Sequence, residues 1–144
     1  MEPNLAFLCN DIARLSRKRF DEAARELKVI GTGAQWRVLL ILKRYPGINQ
    51  GQLAERLDVE PITACRMVDR LEQAGLIERR RDPDDRRAWR LFMTDAALPV
   101  IQEMRKIGQR IRAASLSRIS EEDAERLLGL LEIVRETLSM MEDE

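Results

Sequence analysis

Histidine is absent from all 144 residues of the chain. That removes the side chain most used as a general base near neutral pH and the commonest metal ligand. Cysteine is nearly as scarce. Cys9 and Cys65 stand far apart, without a CxxC pair or a zinc-like spacing, so neither a structural zinc site nor a dithiol centre is expected. Two isolated thiols suit a chain kept in a reducing compartment, where they act as small hydrophobes. The few glycines form no phosphate-cradling loop. No apolar run reaches the ~18 residues that suggest a membrane span, and the charged N-terminus is unlike a signal peptide. Together these absences predict a cytoplasmic protein that is not an enzyme, with no catalytic residue, no metal, no cofactor and no membrane partner. Aromatics make up only 4% of a chain that is 44% hydrophobic, so its core must be built from Leu, Ile, Val and Ala.

An excess of one charge is missing too, since 25 Lys and Arg balance 25 Asp and Glu. Many DNA-binding domains are basic, so the balance at first argues against nucleic acid. Its distribution argues the other way in part. From Ser120 to the end, nine acidic residues accompany two basic ones, which leaves the rest of the chain positive by seven. An acidic end remote from phosphates costs little, because exposed charges more than ~10 Å apart are largely screened at 0.1 M salt.

What is present is concentrated between residues 49 and 94. Asn49 is a good N-cap, Gln52 completes a capping box, and Ile48 with Leu53 can form a hydrophobic staple. A short helix with Leu53, Ala54 and Leu57 on its apolar face is predicted there. Leu57-Asp58-Val59 is the turn, with Asp58 where a tight helix-turn-helix usually has glycine. Pro61 then suits the first position of a second helix running to about Ala74. Projected at 3.6 residues per turn, Ala64, Met67, Val68 and Leu71 point inward. Ile62, Arg66, Asp69, Arg70 and Gln73 point outward, with Thr63 at the edge. Ile62, Thr63 and Arg66 crowd the N-terminal turns, the end a recognition helix inserts into the major groove. There Arg66 can pair with a guanine edge, and Ile62 or the Thr63 methyl can meet a thymine methyl; the alternative is a solvated surface arginine.

Gly75 ends the helix as a C′ residue. Leu76 to Arg81 and Ala88 to Met93 then read as two strands joined by Asp82-Pro83-Asp84-Asp85-Arg86-Arg87. Trp89, Leu91 and Met93 alternate onto one face, as a half-buried hairpin requires. Six arginines fall between residues 79 and 90. One reading is a polar turn that keeps a sheet edge soluble; the other is a basic tip that enters a narrow minor groove.

Three amphipathic helices lie outside this unit. Leu5, Leu8, Ile12 and Leu15, extended by Phe20, Ala23, Ala24 and Leu27, mark the first. Ala97, Val100, Ile101, Met104, Ile107 and Ile111 mark the second, which Thr94 can cap and whose first turn Pro99 deprives of a donor. Ser120-Glu121-Glu122-Asp123 starts the third, which carries Leu127, Leu131, Val134, Leu138 and Met141 at heptad spacing. Such stripes are either one monomer's core or a seam with a second copy. Helices at both chain ends around a central winged unit favour a two-fold homodimer presenting two recognition helices to a palindrome.

On AQWRVLLIL, QLAERL, TACRMVDRLEQAGLIERR and the wing DPDDRRAWRLFMT, nearly the whole chain resembles the MarR family of winged-helix regulators, most closely its SlyA-like branch. The resemblance implies a mainly α fold with a small β-hairpin: one MarR-like domain over 1–144, a winged helix-turn-helix at about 33–93, and dimerisation helices at about 4–28 and 94–142. It also implies double-stranded DNA as partner, and a repressor relieved by a small aromatic or phenolic ligand. In the Asp-x-Arg wing pattern, Asp85-Arg86-Arg87, it makes Arg87 the minor-groove arginine and Asp85 the carboxylate holding its guanidinium. Arg14, Arg17 and Trp36 match effector-cleft positions, although an exposed arginine is ordinarily only solvated and Trp36 suits a core. Two departures stand out: Asp95-Ala96-Ala97 lacks a common glycine, and Pro61 falls one position early. Cys9 lies about a helical turn from the cysteine of peroxide-sensing relatives, whose supporting tyrosines are missing here. The readings to separate are therefore a DNA-binding regulator, a winged-helix protein-interaction module that binds no DNA, and a redox sensor acting through Cys9.

Overall fold

The computed structural model describes residues 2–26 and 33–141. Among these described residues, six helices and one hairpin follow in the order α1 (Leu5–Glu26), α2 (Gly33–Arg44), α3 (Gln50–Leu57), α4 (Pro61–Gln73), β1 (Ile77–Arg81), β2 (Trp89–Met93), α5 (Ala97–Ser115) and α6 (Glu121–Met141). The fold is mainly helical with a two-stranded antiparallel hairpin, as the sequence predicts. The chain divides into two compact units, Met1–Gly108 and Gln109–Glu144, with the boundary inside α5. Leu27 and the expected boundaries at 28 and 142 lie outside the described residues.

In the first unit, one aliphatic cluster joins Val38, Leu39 and Leu42 of α2 to Leu53 and Leu57 of α3, Val68 and Leu71 of α4, Ile77 and Leu91 of the hairpin, and Ala97 and Ile101 of α5. Local signals place each helix against it. Asn49 Oδ1 accepts the Gln52 amide (2.8 Å) and Gln52 Oε1 accepts the Asn49 amide (3.1 Å), a complete capping box. Two chain reversals use one device. Leu76 and Gly75 amides bond to the Leu71 and Glu72 carbonyls, and Val59 and Asp58 amides bond to those of Ala54 and Glu55. Both patterns require a left-handed residue, supplied by Gly75 (φ 76°) and by Asp58 (φ 55°). Pro61 opens α4 where no amide donor is needed. Helix α4 ends at Gln73 with Ala74 as its cap, one residue earlier than expected.

The N-terminal half of α1 stays uncovered: Leu5, Phe7, Leu8, Ile12 and Leu15 are exposed, and in this helix only Phe20 and Ala24 are buried. In the second unit, Ser120 Oγ caps α6 by accepting the Asp123 amide (3.1 Å). Leu127, Leu131, Leu138 and Met141 are exposed, Val134 is half-buried, and Ala124 is the buried residue of that helix. Thr94 does not cap α5 with its side chain as expected. Its hydroxyl donates to the Gly75 carbonyl (2.5 Å), tying the end of β2 to the end of α4, while its own carbonyl accepts the Ala97 amide (3.1 Å).

Candidate nucleic-acid interface

Helix α4 has the two faces that its spacing predicts. Ala64, Val68 and Leu71 are buried and Met67 packs on the core, while Ile62, Thr63, Arg66, Asp69, Arg70 and Gln73 are exposed. Ile62, 64% exposed at the second helical position, is a large apolar side chain held in solvent beside Thr63 and Arg66. Core packing does not account for its position.

Hairpin register decides what each arginine does. Ile77 pairs with Met93, Arg79 with Leu91 and Arg81 with Trp89 on one face; Glu78 with Phe92 and Arg80 with Arg90 on the other. Arg79 therefore shares the core-facing side with Ile77 and is only 14% exposed. Its guanidinium donates to Asp69 (2.6 Å) and Glu72 (2.8 Å) of α4 and to Gln50 Oε1 of α3 (3.4 Å). Burial alone lowers an arginine pKa, but hydrogen bonds and charge from Asp69 and Glu72 outweigh it and raise that of Arg79, so the cation is locked in.

Three more arginines serve the hairpin itself. Arg80 pairs with Glu78 and lies 4.2 Å from the Phe92 ring centroid. Arg90 pairs with Asp82 (3.3 Å), so two like charges directly opposite in register are each offset by a carboxylate. Arg81 covers the Trp89 ring at 4.8 Å and donates to the Arg86 carbonyl (3.1 Å). Trp89 keeps the predicted parity with Leu91 but lies beyond the end of the core and is 40% exposed, so its burial was overestimated. Arg86 and Arg87 remain at the tip, exposed, with guanidiniums that bond to none of the described residues.

Carboxylates shape the tip. Asp82 Oδ1 accepts the amides of Asp84 (2.8 Å) and Asp85 (3.3 Å). Asp85 Oδ1 accepts the Arg87 amide (2.9 Å). The expected hold of Asp85 on the Arg87 guanidinium is thus corrected: Asp85 fixes the backbone that aims Arg87. The Asp84 amide is the main reason the Asp82 carboxyl titrates below its usual 3.8; partial burial opposes it, and Arg90 and the Asp85 amide add to it. Because the carboxylate accepts these bonds more strongly than the protonated acid does, the added stabilisation is complete above 3.8 and fades as pH falls through the lower folded value. The wing turn should therefore keep its amide protection at pH 4 and loosen in more acid solution. Amide exchange at Asp84 and Asp85 across that range checks this, and loss of protection already above pH 4 would contradict it.

The other predicted residues are not gathered into one site. Arg14 and Arg17 are exposed on α1, where Arg14 pairs with Asp11 (3.4 Å). Trp36 is half-buried and stacks on Phe20, with ring centroids 6.2 Å apart. Cys9 is exposed and Cys65 half-buried, and both are free thiols. Among the described residues, one hollow runs along Tyr45 to Ile48 and another lies around the α3–α4 turn, and Arg14, Arg17 and Trp36 line neither of these.

Known structures share this architecture. A crystal structure of MarR superposes with a TM-score of 0.90 at 29% identity, covering 99% of this chain and 96% of that one. A mutant MarR from E. coli complexed with operator DNA gives 0.76 at 24% identity, over 90% and 92% of the two chains. The S. aureus MepR–DNA complex gives 0.75 at 21%, over 94% and 99%. Residues 32–89, from the start of α2 to the wing, match the MarR family profile. The chain thus has a MarR-type winged-helix fold, and its residues 32–89 resemble the MarR family.

Proposed function

We propose that the protein is a sequence-specific DNA-binding transcriptional regulator of the cytoplasm, related to the SlyA-like branch. It acts as a homodimer on a palindromic operator, as a repressor relieved by a small aromatic or phenolic acid. One observation carries the DNA reading: the four inner arginines of the wing are engaged within the protein, while the Arg86 and Arg87 guanidiniums bond to none of the described residues on a tip whose backbone is hydrogen-bonded. A turn that served solubility alone would not need its backbone fixed by two carboxylates. The exposed trio Ile62, Thr63 and Arg66 on α4 supports the same surface, with Arg70 further along, and operator DNA is bound by a relative of the same fold. Uncovered apolar stripes on α1 and on α6 support α1, α5 and α6 as the dimerisation helices. The effector rests on the family resemblance of Arg14, Arg17 and Trp36.

Selection of bound fragments from the source genome, followed by affinity measurements at two salt concentrations, tests this reading. A palindromic consensus and an affinity that falls steeply with salt are expected, because phosphate contacts release counterions. Absence of any enriched fragment would transfer the winged unit to the protein-interaction reading.

A further inference from the structure

Tyr45 is the sole tyrosine of the chain, and two arginines from different helices converge on it. Arg44, in the last turn of α2, donates Nε–H to the phenol oxygen (3.2 Å), its guanidinium carbon 5.6 Å from the ring centroid. Arg56, in the last turn of α3, lies over the same ring at 3.8 Å. A helix C-terminus favours a cation, which accounts for each arginine singly and not for their meeting at one ring. Neither guanidinium has a carboxylate partner among the described residues. Glu55 lines the adjoining hollow and pairs with neither. That hollow, about 510 Å³, opens along Tyr45, Pro46, Gly47 and Ile48. Two like charges that meet at one ring, Arg56 lining the hollow and Arg44 bonded to the phenol beside it, each with unused N–H donors, are complementary to an oxyanion.

We propose that Arg44, Tyr45 and Arg56 form an oxyanion site that takes a phosphate group, and that this phosphate belongs to the backbone of a bound duplex. The assignment to a duplex rests on the DNA-binding reading above and on position. The Gly47 amide donates to the Leu91 carbonyl (2.9 Å) and the Leu91 amide to the Ile48 carbonyl (3.0 Å), while Asn49 bridges Arg90. The segment that carries Tyr45 is thus laced to β2 and lies one strand from β1. A duplex gripped by the wing tip has its backbone beside that sheet. The phenol itself reports the local field. Its pKa is lowered, first by the Arg44 hydrogen bond and then, against partial burial, by the charges of Arg56 and Arg44. An anion seated between the guanidiniums would offset them.

Because there is one tyrosine, a ¹³C label in tyrosine gives one signal. That signal should move when random duplex is added to the full chain at neutral pH, and Arg44→Gln/Arg56→Gln should abolish the shift while leaving the fold intact, since both side chains are exposed. The slope of log affinity against log salt should fall by about 0.9 for each phosphate contact removed. Between 50 and 200 mM salt, wild type should then lose about 3- to 4-fold more affinity per site than the double variant. A still signal with an unchanged slope overturns the site. If millimolar inorganic phosphate moves the signal and duplex does not, the site takes a free phosphate compound and the backbone assignment is overturned. A wild-type chain that binds no duplex at all would instead overturn the functional reading, and the phosphate arm alone would then decide the site.

Discussion

Arg79→Ala is expected to weaken binding to every duplex, specific or random, by roughly five- to tenfold, although Arg79 itself is too buried to touch DNA. Its guanidinium pairs with Asp69 and Glu72 on α4, offsetting one of their two negative charges, and reaches Gln50 on α3. Both carboxylates belong to the exposed side of α4, alongside Arg66 and Arg70. Loss of the single guanidinium leaves the cluster one unit more negative, which at ~7 Å from a phosphate in a water-like dielectric costs about 0.6 kcal/mol per subunit, or about 1.2 kcal/mol for the proposed homodimer. Stability should fall as well, by about 1–2 kcal/mol; loss of a fully buried pair costs ~3–5 kcal/mol, but these carboxylates are half exposed and water screens them. The two effects separate in the triple variant Arg79→Ala/Asp69→Asn/Glu72→Gln. If Arg79 acts on DNA by silencing the acids, the triple variant regains affinity for random duplex while remaining less stable than wild type. If affinity stays low although the protein is folded, Arg79 acts by orienting α4 and the charge argument fails. Duplex affinity and urea unfolding on the three proteins decide between these.

Arg79 also marks the line between what the sequence makes legible and what it does not. Signals satisfied within about five residues were readable: the Asn49–Gln52 box, the left-handed Asp58, Pro61 at the start of α4 and Gly75 at its end. Each closes its own hydrogen bonds locally, so residue type and spacing carry the information. The inward and outward faces of α4 were readable for the same reason. Partner choice among the arginines was not, because the Arg79 contacts with Gln50, Asp69 and Glu72 span 29, 10 and 7 residues. Yet a signal existed. Arg79 stands two residues after Ile77, and period two puts both on the core-facing side of the hairpin. Counting six arginines as one basic tip overlooked that parity; only Arg86 and Arg87 answer to the description. Trp89 erred the opposite way. Its parity was right, but a strand's inward side is buried only as far as something packs against it, and the core stops short of the tip.

Arg87→Ala and Arg66→Ala are expected to fail differently, because the two side chains are held in different ways. Arg87 stands on a turn whose backbone is fixed by Asp85 and Asp82, and its guanidinium bonds to none of the described residues. A minor-groove arginine answers to groove width and negative potential more than to a unique base pattern. Its loss should lower affinity for operator and random duplex together and reduce the salt slope by about 0.9 per subunit. Asp85→Ala, which frees the Arg87 amide and leaves the guanidinium in place, should give a smaller loss in the same sense. Arg66 instead projects from the second turn of a helix clamped by the core and by Arg79. A bidentate guanine contact there is worth ~1–3 kcal/mol of discrimination. Its loss should flatten preference at one symmetric pair of operator positions, while random duplex is bound nearly as before. Each substitution removes one positive charge, so a purely electrostatic role predicts the same profile for both. Affinities of each variant for operator, single-base operator variants and random duplex at two salt concentrations distinguish these cases. Superimposable profiles would end the division of labour between helix and wing, and unchanged operator affinity in both would remove this surface from the interface altogether.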